Sequence, residues 1–227
     1  RTMARIMSLV LTVFMIVPIL APGIGTLVMI FAHWSWTFGV LAVAGFATLI
    51  WTQFRLPPTL PTEMRQPLNM KHIGTSYMAV LKTRVCFGYM FASGIVFGAL
   101  FAFIGASEQI FDEVFHRGEN FWIWFAVIAS GLAVANLVNA KIVERVGQRR
   151  ISHAMLLLFI LFSLVNVIAM QMTNQNFTVF MILFTLTFAC FGMMGANFSS
   201  LAMEPLGKIA GTASAAYGFA TSTLSAW

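Results

Sequence analysis

Charged residues are missing from two long stretches of the chain, and this constrains the fold more than any other feature. No Lys, Arg, Asp or Glu lies between Arg5 and Arg55, or between Arg150 and Glu204. Each stretch has about fifty residues, or roughly 75 Å of continuous helix, whereas the hydrocarbon core of a bilayer is about 30 Å thick. Each stretch therefore predicts two membrane crossings. Of the 227 residues, 59% are hydrophobic and 9% are charged, which excludes an ordinary water-soluble domain.

The apolar stretches divide into seven predicted membrane-spanning segments. Their side chains do not alternate between apolar and polar, as the strands of a membrane barrel do, so we expect helices. The predicted fold class is an all-α integral membrane protein. The predicted spans are residues 6–31, 34–54, 85–107, 121–140, 151–172, 177–202 and 209–227.

The basic residues predict how these spans are oriented. With a cytoplasmic N-terminus, twelve of the 13 Lys and Arg residues fall on the cytoplasmic side, and Arg117 falls outside. The predicted outer loop, residues 108–119, is acidic. Topology thus explains the net charge of +6, and a nucleic-acid-binding function has no support.

A polar stretch, residues 55–84, separates the first two spans from the other five. It contains four of the seven prolines and then an amphipathic segment. In this segment Met70, Ile73, Tyr77 and Leu81 recur at helical spacing. We expect it to lie on the cytoplasmic membrane surface.

The predicted spans contain no arrangement typical of an enzyme. His33 and His153 have no acidic or cysteine partner at ligand spacing, and Cys86 and Cys190 form no CxxC pattern. We expect no catalytic residue, no metal site and no bound cofactor.

The first span contains a glycine- and proline-rich segment with the sequence Ala-Pro-Gly-Ile-Gly-Thr over residues 21–26. Pro22 removes a helical hydrogen bond, while Ala21 and Gly25 allow another helix to approach closely. The segment resembles the GPxxGG antiporter motif in the fifth helix of drug-efflux antiporters of the major facilitator superfamily. The alternative is an ordinary kinked membrane helix.

A second motif lies in a predicted cytoplasmic loop and has the sequence Glu-Arg-Val-Gly-Gln-Arg-Arg over residues 144–150. It resembles the superfamily's loop motif, (D/E)(R/K)xGx(R/K)(R/K), in the copy between helices eight and nine. Gly147 permits a tight reversal, and the charged residues can latch one conformation. The alternative is simple anchoring by positive charge. The charged members are Glu144, Arg145, Arg149 and Arg150.

Residues 60–67, 89–94 and 210–215 narrow the resemblance to the bicyclomycin-resistance branch of the superfamily. The resemblance implies a fragment equivalent to helices five to eleven of a twelve-helix transporter. Residues 1–54 are then the last two helices of the N-terminal six-helix bundle, 55–84 a cytoplasmic linker, and 85–227 five helices of the C-terminal bundle. The implied function is export of drugs or small apolar compounds across the bacterial inner membrane in exchange for protons, with the proton gradient as energy source.

Several side chains in the spans are candidates for packing or substrate contact. The small residues Gly94, Gly98 and Ala102 form a stripe at four-residue spacing, which suits close helix packing. Aromatic and amide side chains suit an adaptable apolar cavity, although each could instead contact lipid or another helix. The candidate cavity residues are Tyr89, Phe97, Phe101, Asn136 and Asn197.

No Asp or Glu lies inside a predicted span, so we expect the proton-coupling acid in helices that precede Arg1. Two other functions stay open. One is a proton-linked uptake carrier for a metabolite. The other is a sensor or assembly protein on the same scaffold, whose cavity would be plugged by bulky side chains.

Overall fold

The computed structural model describes residues 20–21, 23–56, 70–172 and 175–226, and most of these residues are helical. The helices in chain order are α1 (residues 23–31), α2 (Trp36–Arg55), α3 (Met70–Lys82), α4 (Arg84–Gln109), α5 (Phe121–Val146), α6 (Gln148–Met172), α7 (Phe177–Met203) and α8 (Ala210–Ser225). A π-helical turn at Ile110–Val114 and a 3-10 turn at Gly118–Asn120 join α4 to α5, and a 3-10 segment at Glu204–Ile209 joins α7 to α8.

Five helical segments in the described ranges are long and apolar enough to cross a membrane, which confirms the all-α membrane fold class. They are Trp36–Arg55, Arg84–Val114, Gly118–Val146, Gln148–Met172 and Phe177–Leu206. The predicted span 6–31 falls mostly outside the described residues. The predicted span 209–227 corresponds to α8, which has 16 residues and is not one of these five segments.

Helix α7 is the centre of the bundle, and it packs against α4, α5 and α6. Its sequence is apolar on nearly every side, as expected for a helix that other helices surround. Two clusters of buried side chains connect it to its neighbours. One contains Phe103, Phe111, Ile128, Phe180, Met181 and Phe188, and the other contains Val96, Phe191, Met194 and Phe198.

The ends of the helices agree with the predicted sidedness. Arg84 at the start of α4 and Arg149 near the start of α6 line one cavity, and Arg149 and Glu204 line another, so these residues lie at the same end of the bundle. At the other end, the Arg117 guanidinium lies 4.5 Å from the centroid of the Phe177 ring. This cation–π contact fastens the acidic loop to the start of α7.

The amphipathic segment of the linker forms α3, and part of it is buried in the bundle. Val80 is fully buried in a cluster with Ala202, Ala213 and Ala216, and Tyr77 packs against this cluster. Leu81 is 48% exposed. The helix thus uses one side to contact α8, a contact that its periodicity did not indicate. The location of its exposed side on a membrane surface stays a prediction, as does the three-part division of the chain.

Candidate functional site

An apolar cavity of about 380 Å³ lies between α4, α5 and α7. This volume falls within the range of roughly 300 to 1,000 Å³ that is typical of small-molecule sites. Five phenylalanines contribute to its wall, and we refer to it as the aromatic cavity. They are Phe97, Phe103, Phe125, Phe188 and Phe191.

Two glycines on α7 explain how this cavity forms beside a close helix contact. A Cβ atom at Gly192 would lie 2.6 Å from the Leu132 carbonyl oxygen, so only glycine lets α7 approach the α5 backbone there. A Cβ atom at Gly195 would meet nothing within 4 Å, and Gly195 lines the cavity. The close contact at Gly192 therefore fixes the distance between the helices, and the missing side chain at Gly195 leaves space.

The phenylalanine rings contact one another and hold the wall in place. The Phe103 ring centroid lies 4.7 Å from that of Phe184 and 5.1 Å from that of Phe188. Phe97 and Phe191 meet edge to face, with centroids 5.1 Å apart. Such rings offer both faces and edges to an aromatic or aliphatic ligand without demanding a fixed orientation.

Asn136 supplies the one polar side chain among the residues that line the aromatic cavity. It is half-buried, and its amide forms no hydrogen bond with the part of the chain that the structure describes. An amide has both donor and acceptor atoms, so it can bind a ligand carbonyl, hydroxyl or amide group.

Asn197 has a different role, because it is buried and bonded to a neighbouring helix. Its Nδ2 donates to the Asn139 Oδ1 atom at 2.8 Å and to the Met193 carbonyl oxygen at 2.8 Å. The Asn139 Nδ2 donates in return to the Asn197 Oδ1 at 3.4 Å. The structure therefore places Asn197 in the interhelical hydrogen bonding that was the alternative to substrate contact.

The remaining candidate cavity residues lie elsewhere. Tyr89 lines a separate cavity near the start of α4, together with Arg84, Arg149 and His153. Phe101 is 53% exposed and lies with Ala102 in a groove between α4 and α8. Of the five predicted cavity residues, the structure brings only Phe97 and Asn136 together in the aromatic cavity.

The small-residue stripe on α4 faces α8 at two of its three positions. A Cβ atom at Gly94 would lie 2.6 Å from the Leu224 Cβ, and one at Gly98 would lie 3.5 Å from the Ser225 Cα. Ala102 is exposed at the edge of the same groove. The missing side chains thus let α4 and α8 come into close contact.

The segment that resembles the antiporter motif falls only partly within the described residues. Pro22 lies outside the described residues, so its effect on the helix stays a prediction. Ala21 is exposed, and a Cβ atom at Gly25 would meet nothing within 4 Å among the described atoms. The close approach expected at these positions is not made by the described residues.

In the loop motif, Gly147 is the single residue between α5 and α6. Its φ is +92°, a conformation that favours glycine, and its N–H donates to the Val143 carbonyl oxygen at 2.9 Å. Glu144, Arg145, Arg149 and Arg150 are all exposed around this turn. Their action as a conformational latch stays a prediction.

Two polar contacts between helices were not anticipated from the sequence. The Ser93 hydroxyl on α4 hydrogen-bonds the Tyr217 hydroxyl on α8, and the Tyr89 hydroxyl bonds His153 Nε2 at 3.3 Å. A polar side chain in an apolar helix signals such a bond, but the sequence does not identify the partner. In the described ranges, no three His, Cys, Asp or Glu side chains are close enough to hold a metal ion.

Comparison with known proteins gives a family match over the whole chain. A family model described as Major Facilitator Superfamily matches residues 1–227. The chain is 30% identical over 146 residues to a bicyclomycin resistance protein homolog of Haemophilus influenzae, covering 64% of the chain and 37% of that relative. It is 27% identical over 227 residues to the uncharacterized MFS-type transporter YdgK of Bacillus subtilis, covering 96% of the chain and 55% of the relative.

A third similar protein is the chloramphenicol resistance protein CraA of Acinetobacter baumannii. The identity is 22% over 202 residues, which cover 88% of the chain and 48% of that protein. The chain therefore spans about half, or less, of the length of the curated relatives it matches.

Proposed function

The chain belongs to the major facilitator superfamily, and on that premise we propose that it forms a large part of a secondary transporter that exports drug-like compounds. The family match confirms the resemblance indicated by the motifs, and it supports the prediction that the chain is not an enzyme. Together with the bacterial relatives, the membrane-spanning helices identify a multi-pass protein of the bacterial inner membrane.

The aromatic cavity is the observation that carries this proposal. Its wall has no charged side chain and a single amide, so it suits an apolar or aromatic compound with one hydrogen-bonding group. Two of the similar proteins are named for resistance to bicyclomycin and chloramphenicol, which supports export of antibiotics. A sensor on the same scaffold would have a plugged cavity, and about 380 Å³ of open volume favours a transporter instead.

Proton-coupled antiport is the finer part of the proposal, and it rests on the resemblance to the antiporter motif. The six described acidic residues are all exposed at helix ends: Glu108, Asp112, Glu113 and Glu119 at one end of the bundle, and Glu144 and Glu204 at the other. A coupling acid must titrate inside the membrane, so we place it in a part of the transporter outside the described residues. Collapse of the transmembrane proton gradient with an ionophore should then abolish export, and export that persists would contradict the coupling.

A change at Gly195 tests the cavity directly. Gly195→Leu places a side chain in the aromatic cavity, and the Cβ atom of that side chain has no neighbouring atom within 4 Å. We expect this change to weaken drug binding about tenfold, equal to about 1.4 kcal/mol. In a drug-susceptible bacterium that expresses the full-length transporter, it should therefore lower chloramphenicol and bicyclomycin resistance. The cells should also accumulate more of each drug.

Gly105→Leu is the matched control for this experiment. Gly105 lies on α4, is exposed, has equally open space at its Cβ position, and does not line the aromatic cavity. This variant should keep full resistance at equal expression. Full resistance in both variants would show that drugs do not use the cavity.

The direction of transport is tested by comparing cells with and without the transporter. Cells that accumulate less drug when the transporter is absent would indicate uptake rather than export.

A further inference from the structure

A second cavity, of about 390 Å³, lies at the end of the bundle where α4 and α6 begin. Its polar wall consists of Arg84, Tyr89, Arg149 and His153, and none of its lining residues is acidic. We call it the cationic cavity. It is distinct from the aromatic cavity, and the two share no lining residue.

The electrostatics of the cationic cavity favour an anion. Arg84 is the first residue of α4 and Arg149 the second residue of α6, so two helix N-termini contribute partial positive charge beside two guanidinium groups. The planar fork of arginine matches the oxygens of a phosphate group. The Tyr89 hydroxyl and the His153 ring, which bond each other at 3.3 Å, add hydrogen-bonding groups to the wall of the same cavity.

The deeper wall of the same cavity is apolar. It includes Ala92 on α4, Leu156 on α6 and Phe198 on α7. Ala92 lies eight residues beyond Arg84, and Leu156 seven beyond Arg149, which corresponds to roughly 10 to 12 Å along each helix. The cavity therefore runs from the charged helix ends to the depth of the hydrocarbon core.

We propose that the cationic cavity binds an anionic phospholipid of the inner leaflet. The phosphate would contact Arg84 and Arg149, and an acyl chain would lie against Ala92, Leu156 and Phe198. A soluble anion would use the arginines and leave the apolar wall exposed to water, so the combination of the two surfaces favours a lipid. Basic pockets between membrane helices on the cytoplasmic side are typical sites for such headgroups.

Native mass spectrometry of the purified chain in detergent tests this proposal, with phosphatidylglycerol as the probe and phosphatidylcholine for comparison. We expect one tightly held phosphatidylglycerol and weaker retention of phosphatidylcholine. The double change Arg84→Gln and Arg149→Gln should weaken phosphatidylglycerol binding at least about tenfold, because each guanidinium–phosphate contact is charge-assisted. Higher salt should weaken binding in the unchanged chain as well.

The matched control removes two other exposed arginines, Arg145→Gln and Arg150→Gln, which lie near Arg149 in the sequence and do not line the cavity. This variant should bind phosphatidylglycerol as the unchanged chain does. An equal loss of phosphatidylglycerol binding in both double variants would overturn the proposal, because it would show that binding depends only on the net charge of the chain. If the first variant loses helical circular dichroism, Arg84→Lys with Arg149→Lys replaces it, and unchanged affinity in that variant would also contradict the arginine contacts.

Inorganic phosphate distinguishes the two sources of the anion. Millimolar phosphate should not displace phosphatidylglycerol, because it gains nothing from the apolar wall. Displacement of the lipid by phosphate, or binding of phosphate without retention of phosphatidylglycerol, would identify a soluble-anion site and overturn the lipid assignment.

Discussion

At the scale of single residues, two asparagines on α5 show that the role of a polar side chain depends on the neighbouring helix. Asn136 and Asn139 are three residues apart, so helical spacing places them on one face of α5. Asn139 bonds Asn197, whereas Asn136 lines the aromatic cavity and bonds none of the residues that the structure describes. Helical spacing places both on the side towards α7, but only the positions of the α7 side chains decide which amide is satisfied. The sequence therefore predicted polar candidates and not their separate roles.

Asn197→Ala should destabilise the bundle because it leaves Asn139 buried without its partner. Interhelical hydrogen bonds in membranes contribute about 0.6 to 2 kcal/mol, and we expect a loss in that range. The free energy of unfolding in mixed micelles, titrated with a denaturing detergent, measures it. Asn136→Ala is the control, which should change stability little and lower drug resistance. Equal destabilisation by both changes would contradict the assigned roles.

At the scale of elements, a predicted span matches a helix closely where the charged residue that borders the span also lies at the end of the helix. The predicted span 85–107 corresponds to α4, Arg84–Gln109. The predicted span 121–140 corresponds to the apolar part of α5, and the helix continues past Lys141 to Val146. Lys and Arg are good helix formers, so a helix extends past the hydrocarbon core until a residue such as Gly147 ends it.

The sequence predicted the α4 side of the contact between α4 and α8, but not its α8 side. Spacing identified the stripe of Gly94 and Gly98, but it did not identify α8 as the partner, because α8 follows α4 only after three intervening long helices. The Ser93–Tyr217 bond lies in the same contact. Small residues in α4 and a hydroxyl pair thus join two helices that are distant in the sequence.

Gly94→Ala should weaken this contact, because its Cβ would lie 2.6 Å from the Leu224 Cβ. Overpacking costs typically about 1 to 3 kcal/mol, which the unfolding titration would detect. Gly105→Ala, at a position with open space in the same helix, should be neutral or slightly stabilising. In a Leu224→Gly background the cost of Gly94→Ala should largely disappear. The same cost in both backgrounds would show that Leu224 is not the obstacle.

At the scale of the whole molecule, composition and charge predicted the class of protein better than the position of its site. The apolar spans and basic loops require a multi-pass membrane protein, and the family match agrees. The candidate cavity residues were selected by residue type along α4, α5 and α7. Residues on one helix face different neighbours, so Phe97 and Ile104 on α4 line the aromatic cavity while Phe101, which lies between them in the sequence, is exposed in the groove towards α8.

The threading of α4 to α7 through the bilayer is the central claim, because both cavities depend on it. The most direct measurement uses Glu113→Cys and Arg149→Cys, each in a background in which the buried Cys86 and Cys190 are replaced by alanine. A membrane-impermeant maleimide should label position 113 in intact cells and position 149 only in inverted vesicles. Labelling of both positions from the same side would contradict the threading.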